Sequence, residues 1–146
     1  ILIPRRHVHV PDLPPRLARH AEFAAEGLRR APLEISVVMR THQLRLAERQ
    51  CRMAELSQRL QDLVVMLVAS QWAGRQADET VQAAADILCQ DLTRRLTGRR
   101  PSDRYFRDAT RLGAAIAEGA FPALAGVEAE EILMRYEPDA RVAIAP

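Results

Sequence analysis

The spacing of the apolar residues constrains this chain most. From Leu13 to Ile116 they recur every three or four positions, and the pattern is punctuated at Pro32, Gly74 and Gly98. That period is the mark of amphipathic α-helices, whereas a half-buried strand would alternate every second residue. Leu13, Leu17, Ala21, Ala24 and Leu28 define a first helix, started by Asp12 or by the prolines behind it, since Pro14 and Pro15 are tolerated in a first turn. Pro32 cannot donate to the preceding turn, so it either kinks this helix or begins the next. Beyond it Leu46, Met53, Leu60 and Leu67 repeat every seven residues, with Leu56 and Leu63 in the complementary positions. This predicts a long helix with a bundle-type seam in which Leu60 is buried, ended by Gly74.

Asp78 is placed to cap a third helix whose apolar face is Val81, Ala84, Ala85, Leu88 and Leu92, closed by Gly98. Pro101-Ser102-Asp103 starts a fourth, lined by Tyr105, Phe106, Ala109, Leu112, Gly113 and Ile116 and stopped by Gly119 and Pro122. The expected fold is all-α: an antiparallel bundle of about four helices over residues 12–120. An extended, proline-flanked arm at 1–11 precedes the bundle. Residues 121–146 follow it as a short helix around Val127 to Met134 and a loose tail from Pro138 to Pro146.

Composition agrees with helices and removes several chemistries. The 146 residues are 48% hydrophobic and 27% charged, enough for one domain with a core of its own. Every basic side chain is arginine, so a Schiff-base lysine, a P-loop lysine and a lysine general base are all excluded. A formal charge of +2, with arginines interleaved among carboxylates, argues against nucleic acid as the main partner.

Cys51 and Cys89 stand far apart without a metal-ligand pattern, and are expected as reduced core thiols of a cytoplasmic protein, with a disulfide as the alternative. No signal peptide is visible. The longest apolar run, Leu63 to Ala69, falls short of the roughly 20 residues a membrane span needs. The chain opens on Ile1 rather than Met, which is expected of a fragment.

No complete catalytic or metal site is visible, and no cofactor site is expected in this chain. Bundle di-iron sites need Glu-x-x-His pairs, and no Glu here is followed three residues later by His. His7 and His9 lie in the proline-rich arm without supporting carboxylates, and His20 and His42 read as surface or boundary residues. Neither cysteine has a histidine partner in sequence, and nucleophile-elbow and glycine-rich phosphate motifs are absent. Glu48, Glu55, Asp86 and Asp91 sit among arginines as solvated helical pairs, while Asp62, beside the seam, is placed to cap or bridge a neighbouring helix. Trp72 is expected to plug the bundle end. Arg94, Arg95, Arg99 and Arg100 form the densest positive patch, read as an answer to the helix dipole, with anionic lipid as the alternative.

Arg52-Met53-Ala54-Glu55 followed by Asp62 and the run Leu63-Val64-Val65-Met66-Leu67-Val68-Ala69-Ser70 resembles the helix opening the C-terminal extension of very-long-chain acyl-CoA dehydrogenases. Leu88-Cys89 and the helix to Leu96 are similar to that family's next helix. Tyr105-Phe106-Arg107-Asp108 through Ile116-Ala117-Glu118-Gly119 is similar to its last one. The resemblance covers roughly residues 9 to 120, and residues 121–146 have no counterpart in it. It implies a parent flavoenzyme that binds FAD and oxidises acyl-CoA thioesters at Cα–Cβ. The glutamate base and the flavin-binding positions lie upstream of the matched region, so no catalytic or cofactor residue is carried over. It also implies a structural role: the extension packs on the catalytic part of the same polypeptide and supports a homodimer. In mitochondrial members it has been linked to the membrane surface. The alternative is an independent helical interaction or adaptor module.

Overall fold

The computed structural model describes residues 12–42, 50–122 and 126. The expected arm with His7 and His9, the seam residue Leu46, Glu48, the short helix and the tail lie outside the described residues. Within them the protein is all-helical: α1 (Pro15–His42), α2 (Gln50–Gly74), α3 (Glu79–Thr97) and α4 (Asp103–Ala117). Neighbours in sequence pack side by side, and α1 also meets α3, so α1, α2 and α3 enclose the core while α4 lies against α3.

The helix ends follow the capping chemistry. The Asp78 side chain accepts from the Thr80 amide at 2.8 Å, and Ser102 Oγ from the Tyr105 amide at 3.3 Å. Gly98 takes the left-handed conformation (φ 68°), which glycine adopts without a Cβ penalty, and donates its N–H to the Arg94 carbonyl at 2.8 Å. At the start of α1 the Pro14 carbonyl accepts from the Ala18 amide at 2.9 Å, so Pro15 occupies the first helical position, where its missing N–H costs nothing. Pro32 does not begin a new helix: α1 runs through it to His42.

Two clusters make the core. Ala24, Leu63, Met66, Cys89 and Leu92 form one; Leu17, Ala73, Val81 and Ala85 form the other, with half-buried Phe121 packed against it. Small residues on α1 let α2 come close. A Cβ added at Gly27 would stand 2.7 Å from a Leu63 methyl.

The inward face of α2 differs from the expected seam. Leu56, Leu63, Met66, Ser70 and Ala73 are buried, whereas Met53, Leu60 and Leu67 are only half-buried flanks. Apolar residues occur on both sides of α2, so periodicity alone does not choose the side facing α1 and α3. On α3, Val81, Ala85 and Leu92 are buried as expected, but Leu88 is exposed and Cys89 takes the inward place. The α4 face departs furthest: none of its residues is buried. Tyr105, Ala109 and Leu112 are half-covered, and Phe106, Gly113 and Ile116 are open.

Candidate functional site

The most connected polar cluster joins α1, α3 and α4. Asp86 points inward from α3, one turn before Cys89, and its side chain is 8% exposed. It accepts from His20 Nε2 at 2.9 Å, Gln90 Nε2 at 3.0 Å and Arg16 Nη1 at 3.4 Å. Arg16 also reaches Asp108 of α4 at 3.4 Å, and Asp108 meets Arg104 at 3.6 Å. Burial alone would push the Asp86 carboxyl up. The hydrogen bond and charge of His20, the charge of Arg16 and the Gln90 amide outweigh it and hold the group below its ordinary range.

Asp86 is therefore not the solvated helical carboxylate that its arginine-rich neighbourhood predicts. Its first partners stand 70 and 66 residues away in sequence, and no local pattern announces them. His20 is at the boundary, as expected. The His20–Asp86 pair ties α1 to α3.

Cys89 is buried beside Ser70 Oγ (3.4 Å) and within 3.8 Å of the Met66 carbonyl. Burial pushes its thiol up, Asp86 adds to this, and the Ser70 hydrogen bond only partly opposes it. A thiol kept protonated is a packing group, because the thiolate is the nucleophile. Cys51 corrects the expectation of a second core thiol: it is free and exposed in the first turn of α2, away from the inward face.

Asp62 bridges helices as its position beside the seam suggests: it accepts from Gln58 at 2.9 Å and faces Arg95 of α3 at 3.6 Å. Asp91 pairs with Arg94 at 3.1 Å, whose guanidinium lies 5.5 Å from the Tyr105 ring centroid. The hydrogen bond to Asp91, with burial and the charge of Asp91, pushes the Tyr105 phenol up against the opposing charge of Arg94. Two of the four arginines in the expected patch thus hold α3 to α2 and α4, while Arg99 and Arg100 stay exposed beyond the α3 cap. Glu55 is exposed and His42 half-buried.

Trp72 does not plug the bundle end. It is 55% exposed, and Phe121 covers that end instead. Trp72 belongs to an outward stripe with Val64, Val65 and Val68. A second apolar surface runs along the distal half of α1, where Leu33, Ile35, Val37 and Met39 are exposed. Between that half of α1 and the start of α2 lies a groove of about 450 Å³ with Val37, Val38 and Leu56 in its wall and Arg52 and Arg59 at its edge. Its lining holds no aromatic side chain.

Among the described residues no group of three or more His, Cys, Asp or Glu side chains is placed to hold a metal ion, and no helix is long and apolar enough to cross a membrane. No family model, curated protein or solved structure matches the chain.

Proposed function

We propose that this chain is a non-catalytic helical docking domain, the C-terminal extension of an FAD-dependent acyl-CoA dehydrogenase. It packs on the catalytic part of that polypeptide and supports assembly of a homodimer. The observation that carries the docking role is α4. It is the most strongly amphipathic of the four helices and is well capped, yet it buries no residue, and Phe106 and Ile116 face outward. Exposed apolar surface of this kind, repeated along the distal half of α1, marks a protein–protein contact rather than a finished surface.

The identity of the parent rests on the sequence resemblance. The geometry is compatible with it, because Asp62 and Leu63–Ser70 fall on α2, Leu88–Leu96 on α3, and Tyr105–Gly119 on α4 and the two residues after it. The alternative, an independent interaction module, is favoured by the same exposed faces considered without the resemblance.

Expression of the complete reading frame that encodes this chain separates the two. We expect a yellow protein that reduces an electron acceptor in the presence of a long-chain acyl-CoA. Removal of residues 12–122 should leave the flavin in place and alter the assembly. The 146-residue chain alone should be colourless and inactive. A colourless full product without acyl-CoA oxidation overturns the flavoenzyme reading and leaves the interaction module.

A further inference from the structure

α4 is attached to the molecule differently from the other helices. Among the described residues both core clusters are built from α1, α2 and α3, and the one side chain from beyond α3 that packs on either is Phe121. That side chain is carried by α4. The turn after the helix is closed by the Glu118 N–H on the Ala114 carbonyl at 3.0 Å, Gly119 on Ile116 at 3.0 Å and Ala120 on Ala115 at 2.8 Å, with Gly119 at φ 76°. These bonds continue α4 to residue 120, so Phe121 reaches its seat on Leu17, Ala73, Val81 and Ala85 as an extension of the helix.

The opposite end of α4 is a joint. Gly98 closes α3 by donating to Arg94, and Ser102 caps α4 by accepting from Tyr105, so each helix completes its own end without the other. Arg99 and Arg100 between them are exposed, and a Cβ placed at Gly98 meets nothing within 4 Å. Along its length α4 is held loosely. Tyr105, Ala109 and Leu112 are only half-covered, and a cavity of about 270 Å³ remains where Asp108, Leu112 and Ala115 face Arg16, Thr80 and Ala83. The Arg16–Asp108 pair beside it has an arginine that is 50% exposed, and such pairs add little.

We propose that α4 and Phe121 form a strap that opens as one unit about the 98–102 loop while α1–α3 stay folded, with Phe121 as its latch. Closed, the ring covers the apolar end of the bundle. Open, the strap uncovers the seat on Leu17, Ala73, Val81 and Ala85 and leaves Leu63, Met66, Cys89 and Leu92 packed. The device belongs to the described helices and holds whatever polypeptide the chain is part of.

Amide exchange of the 146-residue chain tests it. A detached helix of 15 residues is marginal in water, so α4 amides exchange whenever the strap opens. Opening of the strap leaves Leu63 packed, and unlatching it does not require the core to unfold. Leu63→Ala, or the milder Leu63→Val, should therefore speed exchange of the slowest α2 and α3 amides and leave α4 exchange at its native rate. Phe121→Ala should speed α4 exchange by about tenfold, and Phe121→Leu should restore most of the protection. If a Leu63 variant accelerates α4 together with α3, the four helices are one cooperative unit and there is no strap. If Phe121→Ala leaves α4 exchange unmoved, or Phe121→Leu is as fast as Phe121→Ala, Phe121 is not the latch.

Discussion

α3 and α4 start alike and end up differently. Each opens on a side chain that caps its first turn, Asp78 or Ser102, each has an acidic residue in that turn, and each is amphipathic. Yet α3 buries Val81, Ala85, Asp86, Cys89 and Leu92 between α1 and α2, while α4 buries nothing. Caps and period decide where a helix forms; the number of neighbours around it decides what it buries. α4 has one side on α3, held by the Asp91–Arg94–Tyr105 cluster, with the Arg16–Asp108 pair tying it to α1, and its other apolar side is open. The difference separates the helices that enclose the core from the one that rests on its edge.

The largest expected effect is in the three-helix core. Leu63→Ala should destabilise by about 2–5 kcal/mol, the range for a buried leucine cut to alanine. Leu60→Ala, on the half-buried flank, should cost less than about 2 kcal/mol. Urea unfolding of the two variants checks this, and equal losses would return the seam to the Met53–Leu60–Leu67 side.

Next comes the polar tie between α1 and α3. Asp86→Ala removes the acceptor of His20, Arg16 and Gln90 and should cost about 1–3 kcal/mol, mainly through the partly buried His20 and Gln90, since Arg16 is half exposed and can turn to water. Because the folded carboxyl is held below its ordinary value of 3.8, its stabilisation is present above that value and is lost as pH falls through the folded pKa. Unfolding between neutral pH and pH near 3.8 and below should therefore show a loss of stability on acidification that Asp86→Ala lacks. An unchanged acid limb in the variant would mean that other carboxylates set it.

The smallest expected effect is on α4. Phe106→Ala in the isolated chain should change stability by under about 0.5 kcal/mol, the level of an ordinary surface substitution. A loss of about 3 kcal/mol, typical of a buried phenylalanine, would place α4 in the core after all.

The same contrast explains what was legible in the sequence. Helix number, the caps at Asp78 and Ser102 and the stop at Gly98 are local signals, and all are present in the structure. The bridging position of Asp62 is also readable, because it follows from one residue lying beside an apolar run. The inward side of α2 is not, since a helix with apolar residues all round carries no internal mark of which neighbour comes first. The outward turn of Trp72 and the role of Phe121 at the bundle end depend on how the chain returns after α4, which no local window contains. The His20–Asp86–Arg16 cluster is hidden for the same reason: Asp86 lies 70 and 66 residues from Arg16 and His20.

Native-state hydrogen exchange tests the docking role most directly, because it reads each helix separately. In the 146-residue chain we expect the amides of α4 to exchange through local opening, well before those of α3. In the full-length assembly protection of α4 should rise toward that of α3, as its open face is covered. An α4 that is already as protected as α3 in the chain alone, and unchanged in the assembly, would contradict a helix built to dock.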